Sequence, residues 1–280
     1  MKYKIEKNTV QETLIIPLYA RKVCSELYPN LYRDETAVRL IDEIDYDFSE
    51  AEKNSRGLMQ RFGSLEVAMR QNDLAFEVRD YLKSHPNAAV VNLGCGLDST
   101  GRSCDNGSCK IYNLDFPDVI AMRNELLPAG EREKNIPCDL NDTAWFSQID
   151  ASSGAVFFAS GVFYYFLTEQ VKALVQAMAE AFPGGVLVFD AANRTAVKMI
   201  AKTWLKSAKI QDVGAYFAVS DAPQEISAWD SRLQVTSRGY MLGYTDLKDP
   251  SVSGFFRFLA RVGDGMMKMQ IVKIGFEGKQ

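Results

Sequence analysis

The chain has 280 residues, 47% of them apolar and 24% charged, the make-up of a folded domain and not of a disordered or collagen-like chain. Its 32 basic and 36 acidic side chains give a formal charge of −4, which lacks the positive footprint of a phosphate-backbone binder, so no nucleic-acid partner is expected. Five cysteines and one histidine, His85, argue against a disulfide framework and against a multi-histidine metal centre.

The start, MKYKIEKNT, carries charge with no apolar core behind it and does not read as a secretory signal. The longest uncharged apolar run, residues 155–167, falls short of the roughly 20 residues a bilayer-spanning helix needs. No membrane partner is expected, and a reducing cytoplasm is the simplest compartment. Cys104 and Cys109 sit in the turn-like SCDNGSC at 103–109, without the CxxC spacing of a zinc or redox site, so no metal is expected.

Up to residue 84 the pattern is helical. Leu14, Ile15, Leu18 and Val23 recur at near-helical spacing, and Leu74, Val78, Tyr81 and Leu82 fall at i, i+4, i+7 and i+8. His85-Pro86-Asn87 stops that helix, because proline cannot continue it. The apolar run at 88–93 then enters Gly94-Cys95-Gly96 and reads as a buried strand. Residues 110–115 predict a second strand. Pro117 suits the first position of a following helix, Asp118 its positive end, and Val119, Met122 and Leu126 its apolar stripe.

A weaker third strand is expected at 135–140 and a fourth, rich in β-formers, at 154–160. Thr168 is read as the cap of a helix whose inner face carries Val171, Leu174, Val175 and Met178. Pro183-Gly184-Gly185 ends it and residues 186–190 form a fifth strand. Asn193 can cap a further helix with Val197, Ile200, Ala201 and Trp204 inward. Residues 205–231, with Tyr216, Phe217 and Trp229, are read as a cap. Residues 233–244 and 269–276 alternate like strands around a helix near 255–262, a terminal pair closing one sheet edge.

Strands alternating with helices imply a mostly parallel sheet covered on both faces, an α/β fold of Rossmann-like type. The expected organisation is a single domain over 1–280. It has a helical cover at 1–84, a cofactor-binding core at 85–190, a cap at 191–232 and a sheet-closing part at 233–280.

Four strand ends carry chemistry. Gly94 and Gly96 let backbone approach a ligand closely, at the carboxyl end of a strand where doubly wound sheets bind. Asp115 ends the next strand, 19 residues after Gly96, where a carboxylate can accept both hydroxyls of a ribose. Helix capping is compatible with that role. A dinucleotide fold wants GxGxxG, but Ser99 occupies the sixth place and Asp98 would repel a pyrophosphate. A loop with an acid and no phosphate cradle better suits S-adenosyl-L-methionine, a phosphate-free sulfonium, than NAD. Asp139 and Leu140 end the third strand as a carboxylate beside an apolar cover for adenine, or as an exposed turn. Residues 160–166 (SGVFYYF) end the fourth, where donor methyl and acceptor should meet, although two tyrosines in an apolar run can equally be core. GxSxG is absent, which argues against a serine hydrolase.

In this order the motifs resemble the leucine carboxyl methyltransferase family, within it the bacterial branch of O-methyltransferases of polyketide biosynthesis. The likeness runs through 12–21 (ETLIIPLYAR), 31–37 (LYRDETA), 68–76 (AMRQNDLAF), 90–100 (VVNLGCGLDST), 112–120 (YNLDFPDVI) and 182–190 (FPGGVLVFD). It implies a seven-stranded class I methyltransferase sheet and methyl transfer from S-adenosylmethionine to an oxygen, a carboxylate in the name-giving members. By motif position it implies donor contacts at Arg70, Gly94, Cys95, Gly96, Asp115, Phe116, Asp139, Leu140 and Ser160. Arg70 would pair with the donor's carboxylate, Gly94 and Gly96 would lie against its methionine part, Asp115 would hold the ribose, and Asp139 and Leu140 would flank the adenine. Tyr165 matches the family's tyrosine and is the residue assigned to catalysis on the substrate side. Ser160 departs from the family, which carries Glu before the Gly-Val step.

An ionised carboxylate acceptor needs no base, whereas a phenol does. A small molecule with a carboxylate or hydroxyl, a protein C-terminus, and a non-catalytic donor-binding role all stay open at this point. So does the oligomeric state. An NAD-dependent dehydrogenase is the least favoured reading.

Overall fold

Buried on both faces, β3 (Ala89–Leu93) and β6 (Ala155–Ala159) lie next to each other in the centre of a sheet, and their mostly apolar sequence, broken only by Asn92, follows from that position. Side chains alternate across it. Val90, Val156 and Phe158 enter one apolar core, while Ala89, Val91, Leu93 and Phe157 enter the other. A computed structural model describes residues 2–5, 10–55, 57–200 and 216–278.

The sheet has seven strands in the order β5-β4-β3-β6-β7-β9-β8. β4 (Lys110–Asp115), β5 (Glu133–Pro137) and β7 (Val186–Ala191) run parallel to β3 and β6. β9 (Gln270–Phe276) enters antiparallel between β7 and β8 (Leu233–Gly239). The expected terminal pair therefore closes one edge of a class I methyltransferase-type sheet. A two-residue parallel pair, β1 (Tyr3–Lys4) with β2 (Ile44–Asp45), stands apart from it.

The cover is helical, as expected. It comprises α1 (Val10–Leu27), α2 (Glu35–Glu43), α3 (Ser49–Ser55) and α4 (Leu58–Ser84). α4 ends at His85, whose ring stacks on Tyr81 with centroids 4.3 Å apart. This long helix lies against β6, β7 and β9 and so lays one face over the sheet. α5 (Thr100–Ser103) and α6 (Pro117–Leu126) follow β3 and β4, with Pro117 opening α6 and Val119, Met122 and Leu126 buried. α7 (Thr168–Ala181) buries the expected stripe on the opposite face.

Some boundaries differ. β5 starts and stops earlier than expected, at Pro137, so residues 138–140 form the turn beyond it. The Cys138 N–H donates to the Asp115 carbonyl at 2.9 Å as the last bond to β4, which itself ends at Asp115. Leu167, not Thr168, holds the N-cap position of α7, where its N–H donates to Gln170 Oε1 at 2.8 Å. Asn193 does cap α8 (Arg194–Ile200), accepting from the Ala196 N–H at 3.0 Å. Ala201, Trp204 and the rest of 201–215, with the side chain of Ile200, lie outside the described residues. Of the expected cap, Phe217, Ile226 and Trp229 join the core beside α7. α9 (Ala222–Ser227) thus works as a sheet-covering layer. α10 (Gly254–Gly265) supplies the helix between β8 and β9.

Candidate active site

The parallel strands all end on one side of the sheet, and a cavity of about 450 Å³ lies there, within the size range of small-molecule sites. Its wall contains Arg70, Gly94, Cys95, Gly96, Asp115, Phe116, Leu140, Ser160 and Tyr165. Asp139 does not line it. That residue is exposed, and its Oδ1 accepts from the N–H and Nδ2 of Asn141, both at 2.9 Å.

The glycine loop is built for close approach. Gly94 and Gly96 have φ of +65° and +45°, a region side chains disfavour. A Cβ at Gly94 would stand 2.6 Å from Val162, and one at Gly96 2.8 Å from Leu14. Two arginines hold the loop's carbonyls from behind. Arg123 Nη1 donates to the Gly96 and Asp98 carbonyls at 2.8 and 2.7 Å, and Arg21 Nη2 to the Leu97 carbonyl at 2.9 Å. Arg21 also pairs with buried Asp34 at 2.9 Å, and Asp34 caps α2. Asp98 is occupied as well, accepting from Asn92 Nδ2 and from the N–H and Oγ1 of Thr100.

Asp115 ends β4 almost fully buried, with Oδ2 accepting the Gly96 N–H at 2.7 Å and Oδ1 the Phe116 N–H at 2.8 Å. Burial pushes its pKa up, and the two N–H donors and Arg123 oppose that. Each carboxylate oxygen keeps a free lone pair for a ligand hydroxyl. Cys95 is buried, its thiol pKa pushed up by burial, and its N–H bonds to the Leu114 carbonyl. It is therefore no thiolate nucleophile.

Across the cavity, Arg70 Nη1 meets Asp190 Oδ2 at 3.2 Å, at the end of β7. Burial works against the Arg70 charge, but Asp190 outweighs it and holds the guanidinium firmly protonated. Asp190 Oδ1 accepts the Gly161 N–H at 2.6 Å. The Ser160 Oγ and Arg70 Nε are buried and lack a partner among the described residues. Two such atoms in one cavity wall point to a polar ligand between them. Tyr165, 43% exposed, stands at the mouth, and Tyr164 is buried with Asp190 near its hydroxyl.

Sequence reasoning missed Arg21, Glu66, Asp190 and Tyr240, all of which line the cavity, as does Tyr164 of the expected 160–166 segment. For Arg21 the available signal was a charge beside Leu14, Pro17 and Leu18 on one side of α1. Tyr216 and Trp229 of the expected cap do not line the cavity. Trp229 packs on Phe217 in the layer beside α7.

A family model described as leucine carboxyl methyltransferase matches residues 16–179, more than half of the chain. This protein belongs to the leucine carboxyl methyltransferase family. It is an S-adenosylmethionine-dependent methyltransferase. The tetracenomycin polyketide synthesis O-methyltransferase TcmP of Streptomyces glaucescens is 28% identical over 183 residues, just under two thirds of each protein. The S-adenosyl-L-methionine-dependent methyltransferase dpfgK of Gibberella zeae is 25% identical over 258 residues, 86% of this chain and 85% of that protein. The fold is shared with a Thermobifida fusca YX protein described as a methyltransferase, at TM-score 0.55 and 18% identity, covering 92% of this chain and 94% of the other. A DUF574-family protein of Streptomyces avermitilis shares it at TM-score 0.57 and 12% identity, covering 92% and 97%.

The cavity fits the donor chemically. It offers an acid for a ribose, glycine backbone with no side chain in the way and a fixed guanidinium. The basic side chains that reach the glycine loop among the described residues, Arg123 and Arg21, are spent on its carbonyls. Among the described residues no group of three or more acidic, histidine or cysteine side chains could hold a metal. No helix there is long and apolar enough to cross a membrane.

Proposed function

We propose that this protein methylates an oxygen of a small, largely apolar molecule. One observation carries the reading. The acid and glycines at the ends of β3 and β4 share a single cavity with an aromatic and methionine wall of Tyr164, Tyr165, Phe166, Tyr240, Met199 and Met269. A cavity of about 450 Å³ framed this way has small-molecule size. The name of the Streptomyces relative, a polyketide-synthesis O-methyltransferase, supports that class of acceptor.

The bound donor would supply an electrophilic methyl on a positive sulfur. Asp115 holds the ribose hydroxyls, and the backbone at Gly94, Cys95 and Gly96 lies along the methionine part. Phe116 and Leu140 cover the adenine, with Asp139 at the outer rim. Arg70 and Ser160 take the donor's carboxylate end, which gives the unpartnered Nε and Oγ their acceptors. Tyr165 orients the incoming oxygen about 3 Å from the methyl, so that positioning is a large part of the catalysis. Residues 1–280 act as one unit, and the reduced state of the cysteines suits a cytoplasmic protein.

Calorimetry tests the reading. S-adenosylhomocysteine is expected to bind and NAD not to. Crystals soaked with S-adenosylhomocysteine should place its ribose on Asp115, and density elsewhere in the cavity would refute these roles.

A further inference from the structure

The cavity runs along the sheet from β4 toward β8. At its far end the wall is made by Asp190 of β7, Met269 before β9, Tyr240 after β8, and Gly63, Glu66, Val67 and Arg70 of α4. Glu66 stands one helical turn before Arg70, so both point from the same face of α4. Yet they are not a bonded pair. Arg70 spends its Nη1 on Asp190, and Glu66 accepts no hydrogen bond and makes no salt bridge among the described residues.

An unpaired carboxylate in a cavity wall is costly unless something there uses it. The groups facing it are Arg70 from its own helix, Tyr164 after β6, Tyr240 after β8 and Asp264 from α10. Burial, with Asp264, pushes the Glu66 pKa up to about 7, and Arg70 opposes the shift. Such a carboxyl changes protonation near neutrality, which a general base must do. His85 cannot serve, since it packs on Tyr81 away from the cavity. A carboxylate acceptor is already ionised near neutrality and has no proton to give, so a base in this wall matters only for a hydroxyl acceptor.

Resting on the methyltransferase reading above, we propose that Glu66 is the general base of the reaction and that the acceptor is a neutral hydroxyl compound of phenol type, not a carboxylate. The acceptor O–H breaks and its proton passes to a Glu66 carboxylate oxygen. The acceptor oxygen forms its bond to the methyl, and the S–C bonding pair stays on sulfur. One positive and one negative charge vanish together, so the step balances without a further reactant. Water then removes the proton from Glu66.

The probes are 2-naphthol and 2-naphthoate, matched in shape and opposite in charge, titrated into the protein saturated with S-adenosylhomocysteine. The wild type should bind the naphthol at least tenfold more tightly. The naphthol affinity should rise as pH passes about 7, where Glu66 ionises. In Glu66→Gln that pH limb and most of the preference should vanish, with S-adenosylhomocysteine affinity unchanged within about twofold. Methyl transfer to the naphthol should fall about 100-fold in kcat, and Glu66→Asp should recover part of it. Preference of the wild type for naphthoate overturns the proposal. So does binding of neither probe, an unchanged pH limb in Glu66→Gln, or an unchanged kcat. Loss of S-adenosylhomocysteine binding in the wild type itself would instead mark failure of the methyltransferase reading.

Discussion

The Asp115 carboxylate accepts the Gly96 N–H at 2.7 Å, joining the end of β4 to the loop after β3. One side chain thus shapes the glycine loop and faces the cavity that the loop borders. Asp115→Ala is expected to weaken S-adenosylhomocysteine binding at least tenfold, roughly 1.4 kcal/mol, by calorimetry on folded protein. Asp115→Asn should lose less, because it keeps one acceptor oxygen. Unchanged affinity in both variants would remove the ribose role.

Arg70 and Tyr165 occupy opposite duties. Arg70→Ala should weaken the donor more than Tyr165→Phe does, and it should also lower stability, because Asp190 is left buried without its cation. The reverse order of donor affinities would mean that donor and acceptor ends have been exchanged.

Ser160→Ala separates stability from binding. The Oγ is buried without a described partner, so its removal should hold or raise the melting temperature of the ligand-free protein. Donor affinity should fall severalfold, about the worth of one hydrogen bond. Equal donor affinity in wild type and variant would show that the hydroxyl does not meet the donor.

Gly94→Ala and Gly107→Ala form a matched pair. Both glycines have positive φ, but a Cβ at Gly107 meets nothing within 4 Å while one at Gly94 meets Val162. Gly107→Ala should cost about 1 kcal/mol in backbone strain, and Gly94→Ala more because its Cβ also meets Val162, both measured by urea unfolding. Only Gly94→Ala should lose donor binding. Loss in both would point to general disturbance of the fold.

Asp73 of α4 is buried and its Oδ2 has no described partner. Burial, with Asp264 and Glu77, raises its pKa to about 9. The unfolded value is near 3.9, so the native state holds a proton that the unfolded chain has lost between those limits. Stability from this group is full below about pH 4 and is lost as pH rises toward 9. Asp73→Asn stays neutral, so it should gain on the wild type from pH 5 to pH 9, by about 1 kcal/mol or more. A difference that stays flat with pH in thermal melts would contradict this.

Local chemistry made most of the fold readable. Short, mostly apolar runs at β3 and β6 bounded by turn residues read as strands covered on both faces, Pro117 opened α6 as its ring dictates, and Pro86 marked the end of α4. The boundaries that moved depended on neighbours. β5 stops at Pro137 because its partner β4 ends at Asp115, and Trp229 packs against the core that α7 helps to build.

The primary structure alone determined the strand-and-helix alternation and the short motifs at the strand ends, because both arise from residues close together in the chain. Packing decided the rest. Arg21 finds Leu97 across 76 positions and Arg70 finds Asp190 across 120. Among the described residues Glu66 makes no ion pair, while its helix neighbour Arg70 meets Asp190 of β7. Charge, burial and proton affinity belong to surroundings that distant segments supply, so they exist only once the sheet has closed.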